Sequence, residues 1–196
     1  MSKAIKTVLL SVLGVFLVLV LVLVGLVVWA FERAQLDTAG DVDFRNELVV
    51  PPLAESRIDD RGRRVFDLTL QRGATSFGDP EGRTFETWGI NQDYLGPTLR
   101  AERGETVRIN VTNEVGESST LHWHGMHLPA RMDGGPHQMV EDGATWSPQW
   151  EIDQPAASLW YHPHPHGETE EHVNRGLAGM FIVEDPDGVL GLKLLH

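Results

Sequence analysis

Residues Val8 to Phe31 are apolar almost without a break, with Ser11, Gly14 and Gly25 as the interruptions. A run of this kind leaves the chain little choice. In lipid, a helix satisfies all of its own backbone groups, and an apolar helix of this length is at home there. As a helix its 24 residues extend about 36 Å, enough for a hydrocarbon core of about 30 Å. A secretory signal has a shorter apolar stretch and a small-X-small cleavage site. Here the run exits through Val27-Val28-Trp29-Ala30-Phe31-Glu32-Arg33, without such a site. The expectation is an uncleaved transmembrane anchor over 8–31. Lys3 and Lys6 precede it, and Asp37, Asp41 and Asp43 come soon after. By the positive-inside rule residues 1–7 are cytoplasmic and the rest lies on the extracytoplasmic side of the cell membrane.

Beyond the anchor the chain is of single-domain length. The net charge is −12, which argues against nucleic acid as a partner, because phosphate binding needs a basic footprint. The chain has no cysteine. An exported domain without disulfides must be held by its own core, so a sizeable sandwich or barrel is required.

Residues 32–57 read as a polar, acidic linker containing Pro51-Pro52. From Val65 onward the pattern is all-β. Residues 65–70 and 83–88 alternate roughly. Residues 106–112 alternate most cleanly, with Val107, Ile109 and Val111 on one face. Further short strands fit 119–124, 145–152, 157–162 and 178–184, with Gly, Pro, Asn and Asp in the gaps, and a short helix fits near 168–175. Many short strands with such turns predict a sandwich or barrel.

Eight of the nine histidines fall between His122 and His172. His122 and His124 stand in Leu-His-Trp-His-Gly. His162 and His164 stand in Trp-Tyr-His-Pro-His-Pro-His-Gly. Residues i and i+2 of a strand share a face, so each His-X-His aims two imidazoles one way. Two such strands side by side would gather four imidazoles, and neutral imidazole is a ligand for copper, zinc, iron and nickel. Pro163 and Pro165 cannot donate ladder hydrogen bonds, which places that stretch at a sheet edge or beyond it. His127, His137 and His172 are read as surface residues or as supports to the ligands. Trp123 and Trp160 are read as packing residues.

These motifs resemble those of multicopper oxidases. Leu95-Gly96-Pro97-Thr98-Leu99-Arg100-Ala101-Glu102-Arg103-Gly104-Glu105-Thr106-Val107 is similar to an early strand-turn-strand of that family. His122-Trp123-His124-Gly125 is similar to its first copper motif. The run from Trp160 to Gly167, with Gly176 to Asp185 after it, is similar to its second. The resemblance covers about residues 60–185. It implies a cupredoxin-like Greek-key β-sandwich over 58–187, the first domain of a laccase-like oxidase that reduces dioxygen to water with copper. It further implies that His122 binds a type 2 copper and that His124, His162 and His164 bind a type 3 pair. His166 is not a ligand in this scheme. Asp133, in Met-Asp-Gly-Gly-Pro, aligns with an acidic residue that helps deliver protons. Relatives oxidise phenols, cuprous, ferrous or manganous ions, and nothing in the sequence chooses among these substrates.

The departure from the family is equally specific. A thiolate (type 1) copper needs a cysteine, and the second set of histidine motifs is missing. Only half of a trinuclear site is expected, completed by a complementary cupredoxin domain or chain, with no turnover by this chain alone. The ending at 188–196 does not match the family linker and reads as a truncated tail. A fragment, a frameshifted product and a separately encoded domain all fit. The alternative is a membrane-tethered copper-binding module without catalysis. A cupin motif fails because Ala156 and Arg175 stand where glycines belong, and no His-Glu-x-x-His supports a zinc hydrolase.

Overall fold

The computed structural model describes residues 2–34 and 50–185; the expected tail at 188–196 and most of the expected linker lie outside them. The chain divides into two units, Met1–Val49 and Val50–His196.

In the first unit, α1 runs Lys3–Arg33. The Ser2 hydroxyl accepts the Ile5 amide at 3.3 Å and caps its start. The helix exceeds the apolar run at both ends because backbone hydrogen bonding continues through Lys3, Lys6 and Arg33 whatever their side chains. Between its charged ends it is apolar all round, and none of its side chains is buried. Among the described residues it is the one helix long and apolar enough to cross a membrane.

The second unit is a β-sandwich. In one sheet the parallel pair β2 (Arg64–Thr75) and β5 (Thr106–Glu114) forms the centre. The short β1 (Arg57–Ile58) and β3 (Phe85–Ile90) flank β2. β7 (Thr145–Trp146) and β8 (Gln149–Glu151) flank β5. The other sheet has the order β4-β10-β9-β6, from β4 (Leu99–Glu102), β10 (Gly179–Glu184), β9 (Ala157–His162) and β6 (His122–His124). Val107, Ile109 and Val111 point inward from β5 as their spacing requires, and meet Phe66, Leu68, Trp88, Trp123, Tyr161 and Phe181 in a common core.

The differences from the strand pattern have local causes. Residues 145–152 form two short strands, because Pro148 has no N–H to give the ladder; its carbonyl instead accepts the Ile109 amide at 3.0 Å. Residues 52–57, the end of the segment read as linker, are tied to the sandwich through Ala54 N–H to Thr98 O (2.9 Å), Thr98 N–H to Pro52 O (2.7 Å) and β1. Of the stretch 119–124, residues 122–124 pair with β9, while Ser119 bridges Val140. The short helix is present as α2 (Thr169–Arg175).

One buried residue anchors β9. The Tyr161 hydroxyl donates to Pro97 O at 2.6 Å, and burial pushes its phenol pKa up. Gly96 and Gly179 leave room for it: a Cβ on either would come within 2.4 Å or 2.3 Å of the tyrosine. Tyr161 thereby fixes the inner face of β9 and turns its neighbours Trp160 and His162 outward.

Candidate metal centre

β6 and β9 pair antiparallel, with His122 opposite His162 and His124 opposite Trp160. Trp123 and Tyr161 face the core, so His122, His124, Trp160 and His162 share the outer face. β6 is an edge strand, and β9 ends at His162, where Pro163 closes the ladder. His164 lies on the loop just beyond, its amide donating to the Thr120 hydroxyl at 2.6 Å.

The four rings converge. His122 lies 5.6, 5.5 and 5.5 Å by ring centroid from His124, His162 and His164, and His162 lies 5.8 Å from His164. One ligand nitrogen from each of His122, His124 and His162 lies within 4.8 Å of the other two, and this trio is the one such cluster among the described residues. His164 is exposed at its border.

Hydrogen bonds assign the nitrogens. His122 Nδ1 is 2.9 Å from the Asp133 carbonyl oxygen, so it carries the proton and leaves Nε2 free. His162 Nδ1 donates to Pro163 O at 2.7 Å, which also frees Nε2. His124 turns Nδ1 toward His162 Nε2 at 3.2 Å. Two nitrogens each about 2.0–2.1 Å from one ion sit roughly 3 Å apart, so the spacing and the all-imidazole donor set fit a transition metal such as copper. Carbonyls that hold Nδ1–H are the usual means of fixing a ligating imidazole.

Burial pushes the His162 imidazole down to about 4, with its neighbours His122, His124 and His164 adding to the shift and the Pro163 carbonyl opposing it. His162 is therefore neutral, and ready to ligate, across the physiological range. The linkage has a definite sign. Between about 4 and the ordinary value near 6.5 the unfolded chain binds a proton that the folded chain refuses. Stability associated with His162 is thus complete above about 6.5 and falls as the pH drops toward 4. The metal-free chain is expected to lose unfolding midpoint through this window, and His162→Leu is expected to flatten that slope. Parallel thermal melts at pH 7.0, 5.5 and 4.5 check it.

Further residues bear on these rings, and one of them, Thr120, has no signal in the residue pattern. Trp160 stacks on His162 at 3.9 Å and 21° and lies 5.1 Å from His124, so it shelters the ligand rings while remaining partly exposed. Thr120 belongs to no motif, yet it holds the His164 amide. Asp133 meets His122 mainly through its backbone; its carboxylate oxygen is 3.3 Å from the same Nδ1. His127, His137 and His166 are exposed, whereas His172 is buried at 1% exposure, which removes the surface alternative of its two readings. A hollow of about 450 Å³ is lined by Pro52, Glu55, Arg57, Asp67, Asn91 and neighbours, none of them a histidine; the metal centre is an open face.

A two-sheet sandwich carrying clustered imidazoles on one edge strand and the end of its neighbour defines a cupredoxin-like, metal-binding class of domain. The chain belongs to the multicopper oxidase family, whose profile matches residues 74–188. It is 38% identical over 154 residues to the multicopper oxidase mco of Staphylococcus haemolyticus, covering 79% of this chain and 33% of the relative. It is 42% identical over 138 residues to the cell division protein FtsP of Salmonella typhimurium, covering 70% of this chain and 28% of the relative. Among solved structures it is similar to a laccase from Pediococcus acidilactici (TM-score 0.68, 34% identity, 74% of this chain and 31% of that one). It is similar also to the laccase-like multi-copper oxidase CueO from Ochrobactrum (TM-score 0.64, 44% identity, 71% and 30%). The chain thus spans about a third of the length of the relatives it matches.

Proposed function

We propose that this domain supplies half of the histidine ligands of a trinuclear copper site that reduces dioxygen to water while a reducing substrate is oxidised. The carrying observation is the convergence of His122, His124, His162 and His164 on one outer face, with three ligand nitrogens inside 4.8 Å. His122 would serve a type 2 copper, and His124, His162 and His164 a type 3 pair. Bound copper would supply the electron transfer that dioxygen reduction needs. The protein's own part is to hold the imidazoles oriented: the Asp133 and Pro163 carbonyls keep the Nδ1 protons of His122 and His162 and aim Nε2 outward, while burial keeps His162 neutral. The Asp133 carboxylate, partly exposed beside His122, would hold or pass a proton at that edge. The remaining ligands and the thiolate copper would come from a complementary cupredoxin domain.

The chain without that complement is expected to bind copper, to stay nearly colourless because no cysteine sulfur is present, and to consume no oxygen with a phenolic substrate. Adding a chain that bears the missing histidines and a thiolate copper should switch oxygen uptake on. Steady uptake by this chain alone, surviving a chelator wash and abolished by His124→Ala/His164→Ala, would overturn the half-site reading. A second reading is a membrane-tethered copper-binding module without turnover. It is favoured by the relative whose name assigns it to cell division rather than oxidation. Complementation that restores full copper occupancy without oxygen uptake decides for it.

The apolar run of α1 and the lysines in its first turns support a single-pass anchor with the domain extracytoplasmic. Protease added to intact spheroplasts should digest the domain. Protection until lysis would reverse the topology.

A further inference from the structure

We infer that His172 is a positioning residue that locks the histidine loop to the segment entering β6, and so sets the spacing between His122 and His164. The inference rests on the copper half-site reading for its purpose but on separate contacts for its geometry.

His172 sits on α2, eight residues after His164, and neither the metal cluster nor the core needs a polar ring there. It is 1% exposed, and both of its nitrogens are engaged. Nδ1 lies 3.0 Å from the Ser119 hydroxyl, and Nε2 lies 3.1 Å from Glu117 Oε1, with Glu168 Oε2 at 3.9 Å. The ring edge rests against Trp88 at 5.0 Å. Nε2–H can donate to Glu117, and Nδ1 pairs with the Ser119 hydroxyl.

The partners of His172 and of His164 lie on one short segment. Ser119 is held by paired backbone bonds to Val140 (3.1 and 2.7 Å). The next residue, Thr120, takes the His164 amide at 2.6 Å, and two residues later the chain reaches His122. On the other side, Thr169 Oγ1 and the Glu168 amide donate to Pro165 O at 2.8 and 3.4 Å, closing the turn between His164 and α2. Two ties, at His164 and at His172, therefore join residues 117–120 to the loop and helix. With one tie the loop could pivot about the Thr120 bond. With both it has a single register. Supports of this kind beyond the ligands typically alter metal affinity 10–100-fold when removed. A leucine at position 172 would also leave the fully buried Ser119 hydroxyl without this partner. A glutamine offers an amide oxygen and an amide N–H at a spacing close to that of the two ring nitrogens.

The test uses the full chain in detergent, with copper affinity measured by chelator competition and amide hydrogen exchange measured on the metal-free protein. His172→Leu is expected to weaken copper binding by about 10–100-fold and to speed exchange at the His164 amide, leaving the Ile109 amide in β5 unchanged. His172→Gln is expected to restore both values to near those of the unaltered chain. Should His172→Leu fail to fold, Ser119→Ala removes the same tie with little change in volume and is expected to move both readouts in the same direction. Unaltered copper affinity and unaltered His164 exchange in the tie-breaking variant would overturn the inference. So would a His172→Gln protein as impaired as His172→Leu. If the unaltered chain binds no copper, the half-site reading fails by itself. The exchange comparison at His164 against Ile109 then decides the positioning role alone.

Discussion

Replacing His162 by alanine is expected to lower copper affinity by more than about a hundredfold, or roughly 2.7 kcal/mol. His162 is the candidate ligand that the fold prepares most completely. It is 5% exposed, held neutral by burial, fixed at Nδ1 by the Pro163 carbonyl and covered by Trp160. Its Nε2 faces His124 Nδ1, so its removal breaks the trio and leaves His122 and His124 alone in their cluster. His166, two residues beyond His164 and exposed, is the matched control; His166→Ala is expected to change affinity by less than about threefold, in line with a surface substitution. Chelator-competition titrations of the two variants, each checked for an unaltered circular dichroism spectrum, measure the contrast. Loss of binding in His166→Ala with retention in His162→Ala would mean that the ligand register along this loop is shifted by two residues, from 162/164 to 164/166.

Gly134→Ala should be among the most damaging single changes in the domain, about 3–5 kcal/mol, because strain and a backbone collision add. Gly134 adopts φ +73°, and a Cβ there would stand 1.7 Å from the Leu121 carbonyl oxygen and 3.0 Å from His122 Cα. The turn therefore presses directly on the strand that bears the first histidine pair. Its preceding residue, Asp133, holds His122 Nδ1 and accepts the Trp123 amide at 3.3 Å through one carbonyl. Displacing the turn should thus weaken metal binding along with stability. Gly143 has nearly the same backbone, φ +75°, but a Cβ there would meet nothing within 4 Å; Gly143→Ala should cost only about 1 kcal/mol. Denaturant midpoints of the two variants separate collision from conformational strain. Equal losses would show that the approach to Leu121 is not tight.

These expectations draw unequally on sequence and structure. Period-two alternation exposed β5 because its inner residues are all buried and its outer ones are not. The same signal blurred at 145–152, where Pro148 splits a strand, and at 119–124, where the pairing partner changes midway from Val140 to β9. The ties of residues 52–57, at the end of the segment read as linker, were not legible for a related reason. The bonds to Thr98 and to β2 are long-range backbone bonds, and backbone bonds leave little trace in side-chain pattern.

The histidines show the division most clearly. By itself the sequence determined that a long apolar helix precedes an all-β domain, and that His122 and His124 present one face, because both are set by local periodicity along the chain. It singled out Asp133, although the atom nearest His122 proved to be its carbonyl oxygen rather than its carboxylate. Only the tertiary structure decided that His122 stands opposite His162, that His164 is held by Thr120, and that His172 is a buried tie rather than a surface residue. Those relations depend on strand order and on contacts between residues 38 to 55 positions apart. Chain connectivity does not encode such contacts locally; they are selected by burying Tyr161 and Trp123 on the common inner face, which turns the imidazoles to the outside together.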